Sequence, residues 1–131
     1  MICDAQGVPL AVRLTAANVN EVTMLQEMVE AIPPLRGKRG RPRRRPAIVQ
    51  GDRGYNSEEH RRWLRGKKIR PQLAKVGAPH GSGLGKTRWV IERTIAWLHH
   101  FRRLRIRWER RSDIHYAFLT IGCALITFGF L

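Results

Sequence analysis

A long stretch without proline or glycine, from Lys86 to Arg111, constrains the fold of this chain more than any other feature. Its composition favours helix, and we predict one continuous helix over it. At about 100° per residue, five apolar side chains fall on one stripe of that helix. We predict that this stripe packs against a core. It consists of Val90, Trp97, Phe101, Leu104 and Trp108.

The opposite face of the same helix carries one carboxylate, Glu92, among basic side chains (Arg88, His99 and Arg103). Two interpretations are open. Arg88 and Glu92 could form a surface ion pair worth a few tenths of a kcal/mol. Alternatively, Glu92 could bind a metal ion while its basic neighbours hold a phosphodiester backbone. A run of charges is most often a solvated face, so the helix alone favours the ion pair.

The charge of the chain indicates an anionic partner. The 131 residues hold 25 Lys and Arg against 10 Asp and Glu, a formal net charge of +15. Nucleic acid is the first candidate partner, although a structural basic protein would share this charge. Residues 35–46 concentrate the charge among Gly and Pro, and we interpret them as an arm that binds phosphates and does not fold on its own. Its candidate DNA-binding residues are Lys38, Arg39, Arg41, Arg43, Arg44 and Arg45.

The two cysteines and the apolar C-terminus exclude other classes. Cys3 and Cys123 have no spacing typical of a disulfide framework or a zinc site, which fits a reducing cytosol. The segment from Ala117 onward would span about 22 Å as a helix, short of a hydrocarbon core of about 30 Å. We therefore predict a buried final helix and no membrane partner.

The remaining pattern predicts alternating strands and helices in one domain. The first residues, up to Asn18, favour a hairpin with a turn near Asp4 and Gly7. The other predicted elements are a helix begun by Asn18 or Asn20 and stopped by Pro33-Pro34, a strand at 47–50, a helix begun by Asn56 or Ser57 and ended near Gly66, a strand at 68–74, a glycine-rich loop at 76–85, and a final helix at 114–131 begun by Ser112 or Asp113.

Asp52 directly follows the predicted strand at 47–50 and lies between Gly51 and Gly54. Open α/β sheets place functional sites at the carboxyl ends of strands, and glycine permits close approach of another group. An aspartate in an ordinary strand-to-helix turn would have the same neighbours. Both interpretations of Asp52 remain open from the residues alone.

Three separated segments, in this order, resemble the DDE transposase domain of the IS4/IS5 group of bacterial insertion sequences: DAQGVPLAVRLTAANVNEVTML, GDRGYNSEE and LGKTRWVIERTIAWLHHFRRL. The resemblance implies an α/β, ribonuclease-H-like fold with a mixed sheet and flanking helices. It also implies that Asp52 is the second catalytic acid and Glu92 the third. The family's helix signature has Tyr, Arg, Glu and Lys; Arg88 and Glu92 match it, whereas Gly85 and His99 depart from it.

In such enzymes the first catalytic Asp lies on the first strand, and this chain resembles the family from the second strand onward. We therefore expect residues 1–131 to be a partial catalytic domain, inactive in DNA cleavage and strand transfer without an upstream segment. The resemblance implies Mg²⁺ or Mn²⁺ bound by Asp52 and Glu92, within about 8 Å of each other. It implies DNA bound by Arg88, His99, Arg102, Arg103 and the arm.

The resemblance also implies a homo-oligomer acting at the nucleoid in a bacterial cytoplasm. Two alternatives remain open from the sequence, a non-catalytic basic nucleic-acid-binding protein and a truncated transposase remnant. Asp52 and Glu92 would have no metal-binding role in the first of these.

Overall fold

The computed structural model describes residues 1–37, 40–75, 77 and 85–131, and the side chains of its third α-helix from Trp89 onward. Within these residues the strands are β1 (Ile2–Cys3), β2 (Pro9–Ala11), β3 (Ile48–Gly51) and β4 (Arg70–Leu73). The α-helices are α1 (Leu25–Glu30), α2 (Glu58–Gly66), α3 (Gly85–His99), α4 (Arg102–Arg105) and α5 (Ser112–Phe128). Short 3-10 turns at Glu21–Met24 and Arg53–Tyr55 come before α1 and α2.

The chain divides into two compact units. The first unit contains Met1–Ala16 and Trp89–Leu131, and the second contains Ala17–Arg88. Among the described residues, β1 and β2 form an antiparallel pair, and β3 and β4 form a separate parallel pair. The mixed α/β class therefore agrees with the sequence. The ribonuclease-H-like arrangement with one mixed sheet and a missing first strand stays a prediction.

The second unit is built on β3, β4 and the helix between them. Ser57 begins α2, because its Oγ accepts a hydrogen bond of 3.0 Å from the backbone N–H of His60. The helix ends at Gly66, as the sequence predicts. Leu64 is fully buried, and Leu73 of β4 is buried with it in the core of the unit. In the parallel register Gly51 lies opposite Leu73, so the carboxyl ends of both strands meet at one edge.

The first helical segment of the second unit also begins where the sequence predicts. The side chain of Asn20 accepts a hydrogen bond of 3.1 Å from the backbone N–H of Val22. The 3-10 turn that follows continues into α1, which buries Leu25, Met28 and Val29 on one face. The helix ends before the two prolines, as the sequence predicts.

The predicted hairpin opens the first unit. Oδ1 of Asp4 accepts hydrogen bonds from the backbone N–H groups of Gln6, at 2.8 Å, and Val8, at 2.9 Å. Gly7 has a φ of +87°, a backbone conformation that side chains with a Cβ rarely adopt. Turn chemistry around Asp4 and Gly7 therefore forms the connection between β1 and β2.

The prediction of one helix from Lys86 to Arg111 is wrong in its second half. Helix α3 ends at His99, Phe101 is extended, and a single helical turn forms α4. Beyond the break, the side chains of Phe101 and Leu104 pack at Gly122 in α5. This contact joins distant segments, which the local composition does not predict.

The buried face of α3 also differs from the predicted stripe. Thr94 and Leu98 are its most buried side chains, with 0 % and 5 % of their surface exposed. Val90, Trp97, Phe101 and Leu104 are half-buried, as members of a packed stripe can be. Trp108, which the sequence places on the same stripe, lies beyond the end of α4 and is 60 % exposed. Burial of Trp108 is therefore contradicted.

Helix α5 begins at Ser112, but Arg111 occupies its N-cap position and no side chain there caps the helix. The prediction that this helix is buried all round is wrong. Ile121, Leu125 and Phe128 are 55 %, 52 % and 74 % exposed. Among the described residues no helix combines the length and hydropathy needed to cross a membrane.

Candidate metal and nucleic-acid site

Asp52 lies at the carboxyl end of β3 with its side chain exposed, as the sequence predicts. Its backbone is extended, and its Oδ1 accepts a hydrogen bond of 2.9 Å from the backbone N–H of Gly54. Asp52 therefore caps the 3-10 turn Arg53–Tyr55 with one carboxylate oxygen. The two possible roles of Asp52, a cap of the turn and a metal ligand, are compatible because a carboxylate has two oxygens.

Tyr55 ends the 3-10 turn that follows Asp52, and its side chain is half-buried. Burial, followed by the charges of Glu21 and Asp52, raises the pKa of Tyr55 above its ordinary value of 10.0. The hydroxyl therefore stays protonated at neutral pH, and Tyr55 adds a hydrogen-bond donor and no charge to the surroundings of Asp52.

The buried side chain of Arg61 contacts the end of the same turn. Its Nε and Nη2 donate hydrogen bonds of 3.0 and 2.8 Å to Oδ1 of Asn56, which ends the turn after Asp52. Nη2 also donates a hydrogen bond of 2.6 Å to the backbone carbonyl of Leu73, at the end of β4. Arg61 thus joins α2, β4 and the turn, and keeps Asp52 at a defined place beside the strand ends.

Glu92 has an exposed side chain on α3, in the first unit. The next residue, Arg93, lies between two aromatic rings, with its guanidinium carbon 4.4 Å from the ring centre of Trp89 and 4.7 Å from that of Trp97. Its Nη2 donates a hydrogen bond of 2.6 Å to the backbone carbonyl of Gln6. These contacts fix the rotation of α3 against the hairpin, and therefore the direction in which Glu92 leaves the helix.

Thr94 adds a second connection between α3 and the same hairpin. It is fully buried, and its Oγ1 lies 2.8 Å from the backbone carbonyl of Gly7 and 3.0 Å from that of Val90. A Cβ on Gly7 would lie 2.9 Å from this hydroxyl. The absence of a side chain at Gly7 is therefore required for the close approach of α3.

Asp52 and Glu92 lie in different units, so that their predicted separation of about 8 Å stays a prediction. Both are exposed carboxylates, and carboxylate oxygens are the ligands that Mg²⁺ prefers in proteins. The donor chemistry therefore fits a hard divalent cation. The described part of the chain contains no group of three His, Cys, Asp or Glu side chains arranged to hold a metal ion.

The predicted DNA-binding residues near the end of α3 differ in their surroundings. His99 and Arg102 are exposed. Arg103 forms an ion pair with Glu109 and lies over the ring of Phe118, with its guanidinium carbon 5.1 Å from the ring centre. Arg103 therefore has a structural role within the first unit, and its contact with DNA stays a prediction. The side chain of Arg88 lies outside the described residues.

The basic arm is folded back on the second unit. Residues Leu35 and Arg43 form an isolated antiparallel bridge, with hydrogen bonds of 2.9 Å in both directions between their backbones. Nη1 of Arg45 donates a hydrogen bond of 3.0 Å to the backbone carbonyl of Lys67, just after α2. The expectation that the arm has no structure of its own is therefore wrong for these residues. Lys38 and Arg39 lie outside the described residues.

Two residues that were not predicted from the sequence lie beside the arm, one in α2 and one just after it. Trp63 and Lys67 lie beside the arm, with Nζ of Lys67 5.3 Å from the centre of the indole ring. Their spacing of four residues brings side chains together on one helix face. The same spacing relates Trp89, Arg93 and Trp97, so aromatic and basic residues four apart were a signal available in the sequence.

Comparison with known proteins decides the family. The model of the transposase DDE domain matches residues 1–127. The chain belongs to this family. A candidate transposase for insertion sequence element IS402 of Burkholderia cepacia is 62 % identical to it over all 131 residues. This DDE-family chain spans 62 % of the length of that relative. No solved structure matches the chain significantly.

Proposed function

We propose that this chain takes part in metal-dependent cleavage and transfer of DNA strands during the transposition of a bacterial insertion sequence of the IS4/IS5 group. Its membership of the transposase DDE family, over residues 1–127, is the observation that carries the proposal. The net charge of +15 supports a polyanionic substrate. The reaction would take place in the bacterial cytoplasm, at the nucleoid.

In this proposal Asp52 and Glu92 are the second and third carboxylates of the catalytic site and bind Mg²⁺ or Mn²⁺. The bound ions supply activation of the attacking water or 3′-hydroxyl and stabilisation of the leaving oxygen. Asp52 contributes the carboxylate oxygen that does not cap the 3-10 turn. A further carboxylate comes from a segment outside this chain, as expected for a partner that supplies the first catalytic Asp.

The basic residues hold the DNA backbone next to this site. Arg88 and His99 belong to α3, which also carries Glu92, and Arg102 and Arg103 belong to α4. The arm belongs to the unit that carries Asp52. Contacts to phosphates fix the position of a duplex without reading its sequence. We therefore expect recognition of the transposon ends to depend on other parts of the assembly, which we expect to be a homo-oligomer.

A strand-transfer assay tests the catalytic part of the proposal. The chain alone, and the chain mixed with or joined to the remaining part of the IS402 relative, are incubated with Mg²⁺ and a labelled DNA end. We expect joined products only when the additional part is present, and we expect Glu92→Gln to abolish them. Robust strand transfer by the pure chain alone would contradict the proposal that the first catalytic Asp comes from outside it.

The dependence of DNA affinity on salt tests the binding part. If about six phosphates are contacted, log K against log salt has a slope near −5. Neutralising Arg39, Arg41, Arg43, Arg44 and Arg45 together should make this slope shallower. A slope near zero for the unmodified chain would reject DNA binding through phosphates.

A non-catalytic DNA-binding protein is the second candidate. Its support is that the described residues hold no three-ligand metal cluster while the charge is strongly basic. The two candidates differ in one result. The salt slope is the same for both, but only the transposase gains strand-transfer activity from the additional segment.

A further inference from the structure

The second unit contains an open groove of about 540 Å³ between the arm, α1 and the end of α2. Its size is within the range of sites for small ligands, about 300–1,000 Å³. Four cationic side chains line it against one carboxylate, so its charge favours an anion. The cationic residues are Arg41, Arg44, Arg45 and Lys67, and the carboxylate is that of Glu30.

The groove also has an apolar part. Val29 and Ile69 belong to its lining but are only 6 % and 2 % exposed, so they lie buried beneath the groove and offer it little surface. Trp63 is half-buried and presents part of its indole ring to the same space. A site for phosphate alone has no use for an accessible aromatic ring.

The charged and aromatic parts of the groove are adjacent. Nζ of Lys67 lies over the Trp63 ring, 5.3 Å from its centre, and 3.1 Å from Oε1 of Glu30. If a flat group with an attached anion were placed against Trp63, the anion would therefore lie within reach of Lys67. Since Lys67 and Glu30 are both more than half exposed, their ion pair is weak and can give way to a phosphate.

We propose, on the basis of the proposed DNA-binding function, that this groove binds an unpaired nucleotide of a DNA strand. A duplex presents phosphates and sugars on its outside and keeps its bases stacked inside. An unpaired nucleotide presents a base and a phosphate together, and sites for single strands combine a cationic groove with aromatic side chains on which bases stack. The base contacts Trp63, and its flanking phosphates contact Arg41, Arg44 and Lys67.

The arm is divided by this assignment into residues that line the groove and residues that do not. Arg41 and Arg44 line it, whereas Arg36 and Arg43 are exposed arm residues outside its lining. Arg45 lines it too, but its hydrogen bond to the Lys67 carbonyl gives it a structural role. The pairs Arg41 with Arg44, and Arg36 with Arg43, therefore provide two variants of equal charge that differ only in place.

Fluorescence anisotropy with a labelled single-stranded oligothymidine and a blunt duplex, at fixed salt, tests the proposal. Stacking on an aromatic ring contributes about 1–3 kcal/mol per base, which is about 5- to 150-fold in affinity. We expect Trp63→Leu to weaken single-strand binding by about tenfold and to leave duplex binding unchanged, and Trp63→Phe to retain most of the affinity. We expect Arg41→Gln/Arg44→Gln to weaken single-strand binding more than Arg36→Gln/Arg43→Gln.

A second measurement uses the unmodified protein and so does not depend on how the variants fold. A single strand with 5-iodo-deoxyuridine is irradiated in complex with the chain, and the cross-linked peptide is identified by mass spectrometry. An adduct at Trp63 supports the groove; an adduct confined to Trp89, Trp97 or Trp108 overturns it. Equal affinities of the two double variants with no effect of Trp63→Leu also overturn the groove, and a steep salt slope for duplex in the same experiment leaves the proposed DNA-binding function standing.

Discussion

Replacing the buried Arg61 by methionine should destabilise the second unit far more than the same change at its exposed neighbour Arg62. Arg61 is 9 % exposed, and its guanidinium makes three hydrogen bonds, two to Asn56 and one to the carbonyl of Leu73. Methionine keeps much of the apolar stem but removes every donor. Arg62 is exposed, and changes at exposed positions are usually within about 0.5 kcal/mol.

The expected magnitude follows from the two acceptors that lose their donor. A hydrogen bond to a charged group contributes about 1.5–3 kcal/mol, and a buried acceptor left without a partner costs about 1–3 kcal/mol. The side-chain oxygen of Asn56 can turn toward water, whereas the Leu73 carbonyl at the end of β4 is part of the backbone. We therefore expect Arg61→Met to lower the free energy of unfolding by about 2–4 kcal/mol, a large part of a typical total of about 5–15 kcal/mol.

Urea unfolding followed by far-ultraviolet circular dichroism measures this difference for Arg61→Met and Arg62→Met. A double-mutant cycle with Asn56→Ala separates the Asn56 contact from the rest, since a coupling energy reports only the pairwise part. Equal unfolding midpoints for the two methionine variants would refute the reasoning, because they would mean that the three hydrogen bonds of Arg61 contribute nothing beyond those of a solvated arginine.

Three further changes test the packing of the first unit. Gly122→Ala should lower stability by about 1–3 kcal/mol in thermal unfolding, although alanine favours helix by about 1 kcal/mol, because the new Cβ would lie 2.8 Å from Cδ1 of Leu104; an unchanged midpoint would show that Leu104 moves aside freely. Thr94→Val should cost about 1–3 kcal/mol by leaving a hairpin carbonyl without its donor, and Thr94→Ser should cost less. Burial opposes ionisation of Glu109, but its hydrogen bond and charge interaction with Arg103 outweigh it and hold the pKa of Glu109 below 4.5. A lowered folded-state pKa stabilises above the unfolded value and is lost as pH falls through the folded value, so Glu109→Gln should reduce the melting temperature at pH 7 and have little effect at pH 2.

Local chemistry made much of the second unit predictable from the sequence. The side-chain oxygens of Asn20 and Ser57 accept hydrogen bonds from the first turn of a helix, so these residue types predict where the helix begins. A short apolar run followed by glycine predicts the strand before Asp52. Each of these signals depends on neighbours within a few residues, and each is found where it was expected.

The parts that could not be predicted depend on contacts between distant segments. Nothing near His99 in the sequence requires α3 to end there, and the side chains beyond the break, Phe101 and Leu104, pack at Gly122, about twenty residues onward. Trp108 is exposed for the same reason, because its helical phase is lost at that break. The anchoring of the arm through Arg45 and Lys67 joins segments that no local pattern connects.

The carboxylate of Asp52 also has a structural role, which by itself would explain why an aspartate stands at this position. It caps the 3-10 turn through Oδ1. Asparagine is about as good a cap as aspartate, and alanine costs about 0.5–2 kcal/mol at such a position. Asparagine has no negative charge, however, and is a poorer ligand for a divalent cation than a carboxylate.

The two substitutions therefore separate the two roles of Asp52. Asp52→Asn should leave the unfolding midpoint close to that of the unmodified chain, and Asp52→Ala should lower it. Strand transfer with Mg²⁺, measured in the presence of the additional segment, should be abolished by both. If Asp52→Asn instead retained strand transfer while Asp52→Ala lost it together with stability, Asp52 would be a cap and not a metal ligand. The second catalytic carboxylate would then have to be sought elsewhere, and Glu21 would be the first to examine because its charge, like that of Asp52, raises the pKa of Tyr55.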